Sequence, residues 1–168
     1  MKRSAALVGL VLLFAAVAGL WIAGRMIPSP AAVSTARFST TDREGNRVDQ
    51  HVFSGQKLIM LNFWEPWCPP CVNEMPDLEK LYRNYHDKGL LILGIYSTGE
   101  MEDDVDAVLQ SCATSYPILH YTESFDRFQT GYVPTTVFLD GAGKTLHEPI
   151  PGSKDYAGWE ALVLKYLK

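Results

Sequence analysis

The amino-acid sequence predicts an α/β fold in three layers, in which helices cover a mixed central sheet. Two nearly unbroken apolar runs, at 58–64 and 90–96, are typical of strands that are buried on both faces. Apolar residues at helical spacing lie between these runs and again at the C-terminal end of the chain. Strands that alternate with helices in this way indicate one α/β domain.

Length and composition agree with one domain and a remainder. The chain has 168 residues, of which 47% are apolar and 20% are charged, with a formal net charge of −4. A domain commonly takes about 150 residues, and a chain of this size can bury a core without disulfide staples. The three cysteines are therefore expected to serve chemistry. The acidic balance argues against a nucleic acid as partner.

The remainder is the N-terminal segment, which we expect to be a membrane anchor. Lys2 and Arg3 precede an uncharged apolar run from 5 to 24, and a helix of that length spans about 30 Å, the thickness of a bilayer core. Residues 1–27 are therefore predicted to cross the bacterial cytoplasmic membrane once, with the rest of the chain in the periplasm or on the outer face. In the alternative, this segment is a signal peptide cut after Ala18, which leaves a soluble secreted or periplasmic protein.

A short linker and a β-hairpin follow this segment. Prolines within residues 28–34 stop a helix, so this stretch is predicted to be a stiff spacer ahead of a folded domain at 35–168. The domain should open with a small hairpin, because strand-like segments at 37–41 and 47–52 flank the turn-rich residues 42–46.

The remaining elements are predicted from apolar spacing and turn residues. Met75, Leu78 and Leu81 recur at helical steps in a segment that ends before Gly89. A later helix begins with an acidic run, which the helix dipole favours at that end. In chain order we predict a strand at 58–64, a helix at 69–86, a strand at 90–96, a helix at 101–112, a strand at 116–121, a short helix at 124–130, a hairpin of strands at 135–139 and 144–150, and a helix at 155–167.

The candidate site is the segment Cys68-Pro69-Pro70-Cys71, where a buried strand ends and a long helix begins. A thiol at a helix N-terminus faces unpaired N–H groups, so the pKa of the Cys68 thiol should be lowered. Cys68, at the exposed edge, is predicted to be the nucleophile, and the more buried Cys71 is predicted to be the resolving thiol of a reversible disulfide. Trp64 and Trp67 bracket the pair and are expected to shield it and to shape a docking surface for the substrate.

Two other interpretations of the cysteine pair are weaker. A zinc site needs a second pair of ligands, and only Cys112 and four scattered histidines remain. An inert structural disulfide that closes so short a loop would stabilise the fold little. We therefore expect no metal and no cofactor beyond the redox-active pair itself.

The segment Phe63-Trp64-Glu65-Pro66-Trp67-Cys68-Pro69-Pro70-Cys71 resembles the FWxxWCxxC motif of thioredoxin-like proteins. With the export segment before it, the chain is similar to the TlpA/ResA-like branch of membrane-anchored, extracytoplasmic thiol–disulfide oxidoreductases. This resemblance covers residues 35–168. It implies a thioredoxin-like α/β/α sandwich with a mixed central sheet, an extra N-terminal β-hairpin and an inserted helix.

The resemblance also implies roles for residues outside the motif. Tyr132-Val133-Pro134-Thr135 is similar to the cis-proline loop of the family, in which Val133 would pair with the substrate backbone and Pro134 would be cis. Glu74, three residues after Cys71, stands where the ResA-like branch has a glutamate thought to assist proton transfer. Burial beside the thiols would raise the pKa of this carboxyl.

Five further positions carry weaker expectations. Asn62 stands where thioredoxin has a buried Asp, so the proton-handling group is expected on the helix instead of the strand. Pro76 should kink the helix. Cys112 is expected to be buried and inert, or else a redox partner. Glu65 either tunes the charge of the site or faces water, and His120 is a candidate copper ligand.

The resemblance implies a reductase of disulfides in exported proteins, such as apocytochrome c, that is supplied with electrons by a transmembrane donor. The nearest alternative is a catalyst that forms or isomerises disulfides on the same fold. A copper metallochaperone would use Cys68, Cys71 and His120 as ligands. A thiol peroxidase would need a Thr-x-x-Cys context, whereas Glu65-Pro66-Trp67 precedes Cys68 in this chain.

Overall fold

The computed structural model describes residues 35–97 and 99–168. The predicted anchor at 1–27 and the predicted spacer at 28–34 lie outside the described residues. Within the described ranges, no helix has both the length and the apolar character that a bilayer crossing requires.

A mixed sheet of five strands forms the centre of the domain, in the order β5-β4-β3-β6-β7, and a separate two-stranded hairpin, β1-β2, precedes it. The strands are β1 Ser39–Thr41, β2 Arg47–Asp49, β3 Leu58–Phe63, β4 Leu90–Tyr96, β5 Ile118–His120, β6 Thr135–Asp140 and β7 Ile150–Pro151. The α-helices are α1 Pro69–Tyr85, α2 Glu102–Ser111 and α3 Tyr156–Tyr166, and 3₁₀ helices occupy Gln50–Phe53, His86–Lys88 and Glu123–Phe128.

The central strand, β3, determines where the site lies. It pairs in parallel with β4 and antiparallel with β6, and every residue of β3 and β4 is buried. Runs such as Leu58-Ile59-Met60-Leu61 form a strand of this kind because both of its faces are covered by other layers. The carboxyl end of β3 therefore leads directly from the middle of the sheet into the start of α1.

Two hydrophobic clusters lie on opposite faces of the sheet. The first joins Met60 and Phe138 to side chains of all three α-helices, among them Leu78, Val105 and Trp159. The second joins alternate residues of the same strands to the N-terminal hairpin region and to the 3₁₀ helices Gln50–Phe53 and Glu123–Phe128, through Ala36, Phe38, Phe53, Phe125 and Phe128. The three layers are thus present, and in the described part of the chain hairpin and 3₁₀ segments form the second outer layer.

The second predicted hairpin is largely wrong. In place of a strand over 144–150 there is a single bridge between Leu139 and Thr145, followed by the two-residue strand β7. Pro149 lacks the N–H group that a ladder requires, which disfavours regular pairing along this segment. The short helix predicted at 124–130 is a 3₁₀ helix, Glu123–Phe128. The other elements agree with the prediction apart from their ends.

Gly141 provides a test of this packing. A Cβ at this position, just after β6, would overlap the backbone carbonyl oxygen of Gln56. Gly141→Ala should therefore lower the free energy of unfolding by about 1–3 kcal/mol, measured by urea denaturation. Gly99→Ala is the matched control, because a Cβ there meets no heavy atom within 4 Å. Equal stability of the two variants would contradict the packing described here.

Candidate active site

The cysteine pair lies at the N-terminus of α1. Cys68 is the N-cap residue, the two prolines occupy the first helical positions, and a disulfide joins Cys68 to Cys71 with a Cα–Cα distance of 5.3 Å. The backbone N–H of Cys71 donates to Cys68 Sγ at 3.3 Å. The same N–H also donates to the Cys68 carbonyl oxygen at 3.0 Å, so the sulfur of Cys68 shares one of the N–H groups of the first helical turn.

Both cysteines are buried, and the predicted exposed position of Cys68 is wrong. Cys68 is 4% exposed and Cys71 is 0% exposed. The carbonyl oxygen of Val133 lies 3.6 Å from Cys68 Sγ, and this loop covers the sulfur. Cys68 is the more accessible of the two, and its role as the thiol that meets the substrate stays a prediction.

The loop that covers the disulfide contains the cis peptide bond Val133–Pro134, which agrees with the resemblance. Thr135 holds this loop from the start of β6, where its hydroxyl donates to the carbonyl oxygen of Tyr132 at 2.7 Å. The hydroxyls of Thr130 and Thr135 are also hydrogen-bonded, at 2.7 Å. The structure thus brings the two distant motifs together, and the role of Val133 in pairing with a substrate stays a prediction.

An open groove of about 310 Å³ adjoins the covering loop. Its lining includes Trp67 and Tyr132, which are 59% and 72% exposed, together with Val133 and Glu65. Trp64 also lines the groove but is fully buried, with its ring 5.8 Å from that of Tyr96. Trp67 is therefore placed to meet a partner directly, while Trp64 supports the groove from below.

Glu65 does not face water. It is buried and accepts hydrogen bonds from the backbone N–H of Ser97, at 2.9 Å, and from the Ser97 hydroxyl. Its carboxylate therefore anchors the residue that follows β4 to the segment that carries the active-site motif.

Glu74 is buried on α1, at 3% exposure, and accepts three hydrogen bonds. Asn62 Nδ2 donates to Oε1 at 3.0 Å. Trp159 Nε1 and the backbone N–H of Lys154 both donate to Oε2 at 3.1 Å. Burial raises the pKa of Glu74, and these donors oppose the effect without cancelling it.

Sequence reasoning found Glu74 and Asn62 but missed their partners. Trp159 and Lys154 reach Glu74 from positions 85 and 80 residues away, and no local pattern connects them to the cysteine motif. Thr136, whose hydroxyl accepts from Asn62 Nδ2 at 3.1 Å, was also missed. The one available signal for these partners was Asn62, the single polar residue of an otherwise apolar strand, since a buried amide requires polar partners.

The outlying candidates do not contact the disulfide. Cys112 is a free, buried cysteine whose Sγ is 3.8 Å from the carbonyl oxygen of Val72. The ring of His120 packs on that of Tyr96 at 5.0 Å. Within the described residues, no group of three or more His, Cys, Asp or Glu side chains is arranged to hold a metal ion. Pro76 lies inside α1, which continues to Tyr85.

A protein-family model described as the AhpC/TSA family matches residues 33–145. The chain belongs to the AhpC/TSA family.

Relatives of this AhpC/TSA-family chain are thiol–disulfide oxidoreductases by name. The chain is 31% identical over 115 residues to the thiol-disulfide oxidoreductase ResA of Bacillus cereus, a match that covers 67% of this chain and 65% of that protein. It is therefore aligned with slightly less than two thirds of that relative's length. It is 32% identical over 141 residues to ResA of Geobacillus thermodenitrificans, with 80% of each chain covered.

A solved structure shows the same fold. The thioredoxin-family thiol:disulfide interchange protein of Chlorobium tepidum superposes with a TM-score of 0.71 at 24% identity, covering 83% of this chain and 100% of that one. The predicted thioredoxin-like fold and the predicted resemblance to ResA-type oxidoreductases are thus confirmed. The roles assigned to individual residues of this AhpC/TSA-family chain stay predictions.

The raised pKa of Glu74 predicts how stability depends on pH. A carboxyl whose pKa is higher in the folded than in the unfolded protein contributes stability below its ordinary value of 4.5, and this contribution is lost as pH rises through the folded-state pKa. The free energy of unfolding of the wild type relative to Glu74→Gln should therefore fall as pH rises from 4.5 to the folded-state pKa. The expected slope is about 1.4 kcal/mol for every tenfold decrease in proton concentration.

Glu79, on the same helix, is the matched control. Burial would raise the pKa of this carboxyl, but hydrogen bonds from Ser115 and Arg83 lower it overall. Its contribution to stability should instead appear above 4.5 and disappear as pH falls through the folded-state pKa. Urea denaturation of Glu74→Gln and Glu79→Gln across pH measures the two slopes, and slopes of the same sign would contradict the assignment.

Proposed function

We propose that this protein is an extracytoplasmic thiol–disulfide oxidoreductase that reduces disulfides in exported proteins. The observation that carries the proposal is the buried Cys68–Cys71 disulfide at the N-terminus of α1, beside the Val133 carbonyl and an open aromatic groove. The names of the ResA relatives support the reaction class. Their family resemblance also supports an export signal at 1–27, a transmembrane electron donor and a reaction without a further cofactor.

The reaction starts from the reduced pair. The Cys68 thiolate attacks one sulfur of a substrate disulfide, the substrate S–S bond breaks, and a mixed disulfide forms while the second substrate sulfur leaves as a thiolate. Cys71 then loses its proton and attacks Cys68 Sγ, which releases the first substrate sulfur. Two electrons have passed to the substrate, and the protein is left with the Cys68–Cys71 disulfide that the structure shows.

Glu74 is proposed to take the proton of Cys71. It follows Cys71 by three residues on α1, which places both side chains on the same side of the helix. Both belong to the interior of the domain, where a proton cannot pass to bulk water directly. A carboxyl whose pKa is raised by burial is a suitable acceptor and donor for this step.

The surroundings of the pair support the reducing direction. Both cysteines are part of an apolar cluster, and a carbonyl oxygen, which is an unfavourable neighbour for a thiolate, lies beside Cys68 Sγ. The buried carboxyl of Glu74 also disfavours negative charge on Cys71. Only the Cys71 N–H is seen to favour a Cys68 thiolate within the described residues. A cysteine pair is oxidising when its reduced form is stabilised. Because these features disfavour the thiolates of the reduced form, they favour a pair that acts as a reductant.

The groove supports a polypeptide substrate. Trp67 and Tyr132 are large, exposed aromatic side chains on its lining, and such residues commonly supply contact area at protein interfaces. Val133 offers backbone groups between this groove and the disulfide. An extended substrate segment that carries a cysteine can contact Trp67, Tyr132 and the Val133 backbone at once. A peroxide is too small to use these three contacts.

Trapping of the mixed disulfide tests the proposal. Cys71→Ser in the full chain should accumulate covalent complexes through Cys68, because the resolving thiol is missing, and mass spectrometry should identify the trapped partners as exported proteins. Cys68→Ser, which retains only the buried thiol, is the control and should trap none. Partners confined to the cytoplasm would contradict the extracytoplasmic location, and no trapped partner would contradict the exchange mechanism.

The reduction potential tests the direction. Equilibration of the full chain with dithiothreitol buffers, followed by alkylation, should give a potential nearer to about −270 mV, typical of reducing thioredoxins, than to about −120 mV, typical of strongly oxidising members of this fold. A value near the oxidising end would favour the alternative of a disulfide-forming or isomerising catalyst. Peroxide consumption that depends on Cys68 would favour the thiol peroxidase.

A further inference from the structure

The amide of Asn62 is incompletely hydrogen-bonded. Its nitrogen donates to Glu74 Oε1 at 3.0 Å and to Thr136 Oγ1 at 3.1 Å. Its oxygen, Oδ1, is buried and has no hydrogen-bond partner among the described residues. A buried acceptor without a partner destabilises the folded state, so a residue that keeps one calls for an explanation.

The three hydrogen-bond donors to Glu74 differ in whether they can be exchanged for an acceptor. The backbone N–H of Lys154 and the indole N–H of Trp159, both on Oε2, can donate but never accept. A proton on Oε2 would therefore face two further donors. The amide of Asn62, on Oε1, is the one partner whose donor can be exchanged for an acceptor, since a half-turn of the side chain puts Oδ1 in the place of Nδ2.

We propose that Asn62 is a reversible partner of Glu74 that fixes Oε1 as the oxygen that carries the proton. In the orientation that the structure shows, Asn62 Nδ2 donates to the ionised carboxylate. When Glu74 takes up a proton, the amide rotates and Oδ1 accepts from Oε1–H. Asn62 is thus a positioning residue, and its assignment rests on the proposed role of Glu74 as the proton acceptor.

Thr136 allows the rotation to occur without loss of its own bond. Its hydroxyl accepts from Asn62 Nδ2 in the observed orientation and can donate to Oδ1 in the other, because a hydroxyl does both. One atom of the Asn62 amide lacks a partner in either orientation, Oδ1 in the first and Nδ2 in the second. The rotation therefore exchanges one unpartnered atom for another while both hydrogen bonds are retained.

Proton and charge balance over the catalytic cycle. The proton that Glu74 gains is the one that leaves Cys71 as the mixed disulfide is resolved. Glu74 then releases it, because the oxidised pair of the structure stands beside a carboxylate that accepts from Asn62 Nδ2. It takes up a proton again and passes it to Cys71 when the pair is reduced. The charge of Lys154 favours the Glu74 carboxylate. Burial and, to a lesser extent, the charge of Glu74 raise the pKa of the Tyr116 phenol, which stays neutral. Neither of these groups can replace the amide, since Oε1 receives its hydrogen bond from Asn62.

Nuclear magnetic resonance of the full chain in detergent micelles tests the proposal directly. With ¹³C-labelled glutamate and ¹⁵N-labelled asparagine, the Glu74 carboxyl and the Asn62 side-chain amide should titrate at the same midpoint. The Asn62 NH₂ protons should lose their contact with Thr136 on the acidic side. In Glu74→Gln the response of Asn62 should disappear. An Asn62 amide that keeps its contacts while Glu74 titrates would overturn the proposal.

The Glu74 midpoints of two variants give a second readout, which differs according to whether Asn62 rotates or only donates. Trp159→Phe removes a donor that serves only the carboxylate, so the midpoint of Glu74 should shift upward. Asn62→Leu removes a donor to the carboxylate and also an acceptor for the acid, so the two effects oppose and the upward shift should be smaller than in Trp159→Phe. If Asn62 were only a donor, its removal would raise the midpoint at least as much.

The outcomes separate this inference from the proposed function. If Glu74→Gln leaves the rate and the pH profile of disulfide exchange unchanged, Glu74 is not the proton acceptor and the proposed mechanism fails. If that variant slows exchange but Asn62 does not follow the titration in the wild type, the mechanism stands and only the role of Asn62 fails. The wild-type titration decides the question even where a variant does not fold.

Discussion

The burial of the Glu74 carboxyl is the constraint on which the arrangement of this site depends. A carboxylate inside a protein is costly unless donors surround it, by several kcal/mol for an unpaired charge. Its three donors come from β3, from the segment before α3 and from α3 itself. Helix α1, whose N-cap is Cys68, is thereby fixed both to the sheet and to the C-terminal helix. The hydrogen bonds to the Glu74 carboxyl therefore help to set the position of the cysteine pair.

The disulfide lies where two opposite influences meet. As the N-cap of α1, Cys68 receives a backbone N–H, which favours negative charge on its sulfur. The Val133 carbonyl and the apolar cluster disfavour the same charge. The helix position alone predicts a reactive thiolate, but the covering loop changes the balance. The proposed reducing character therefore depends on this loop.

The fold was predictable wherever a local pattern determined it. The buried strands β3 and β4 and the helix α1 follow directly from apolar runs and helical spacing. The strand predicted at 144–150 is wrong because its apolar residues suggested pairing while Pro149, which has no N–H group, disfavoured it. At the site, Cys68, Cys71 and Pro134 could be found from motifs. Trp159 and the backbone of Lys154 could not, because only tertiary packing brings them to Glu74.

In the proposed mechanism, Cys71 and Glu74 carry one negative charge between them. Cys71 and Glu74 lie one helical turn apart on the buried side of α1. Two adjacent buried anions repel each other strongly, so a Cys71 thiolate beside a Glu74 carboxylate is disfavoured. In the proposed mechanism, movement of a proton from Cys71 to Glu74 keeps the charge of this layer constant. The attack of Cys71 on the mixed disulfide can therefore proceed inside an apolar cluster, because forming the thiolate adds no second buried charge beside the carboxyl.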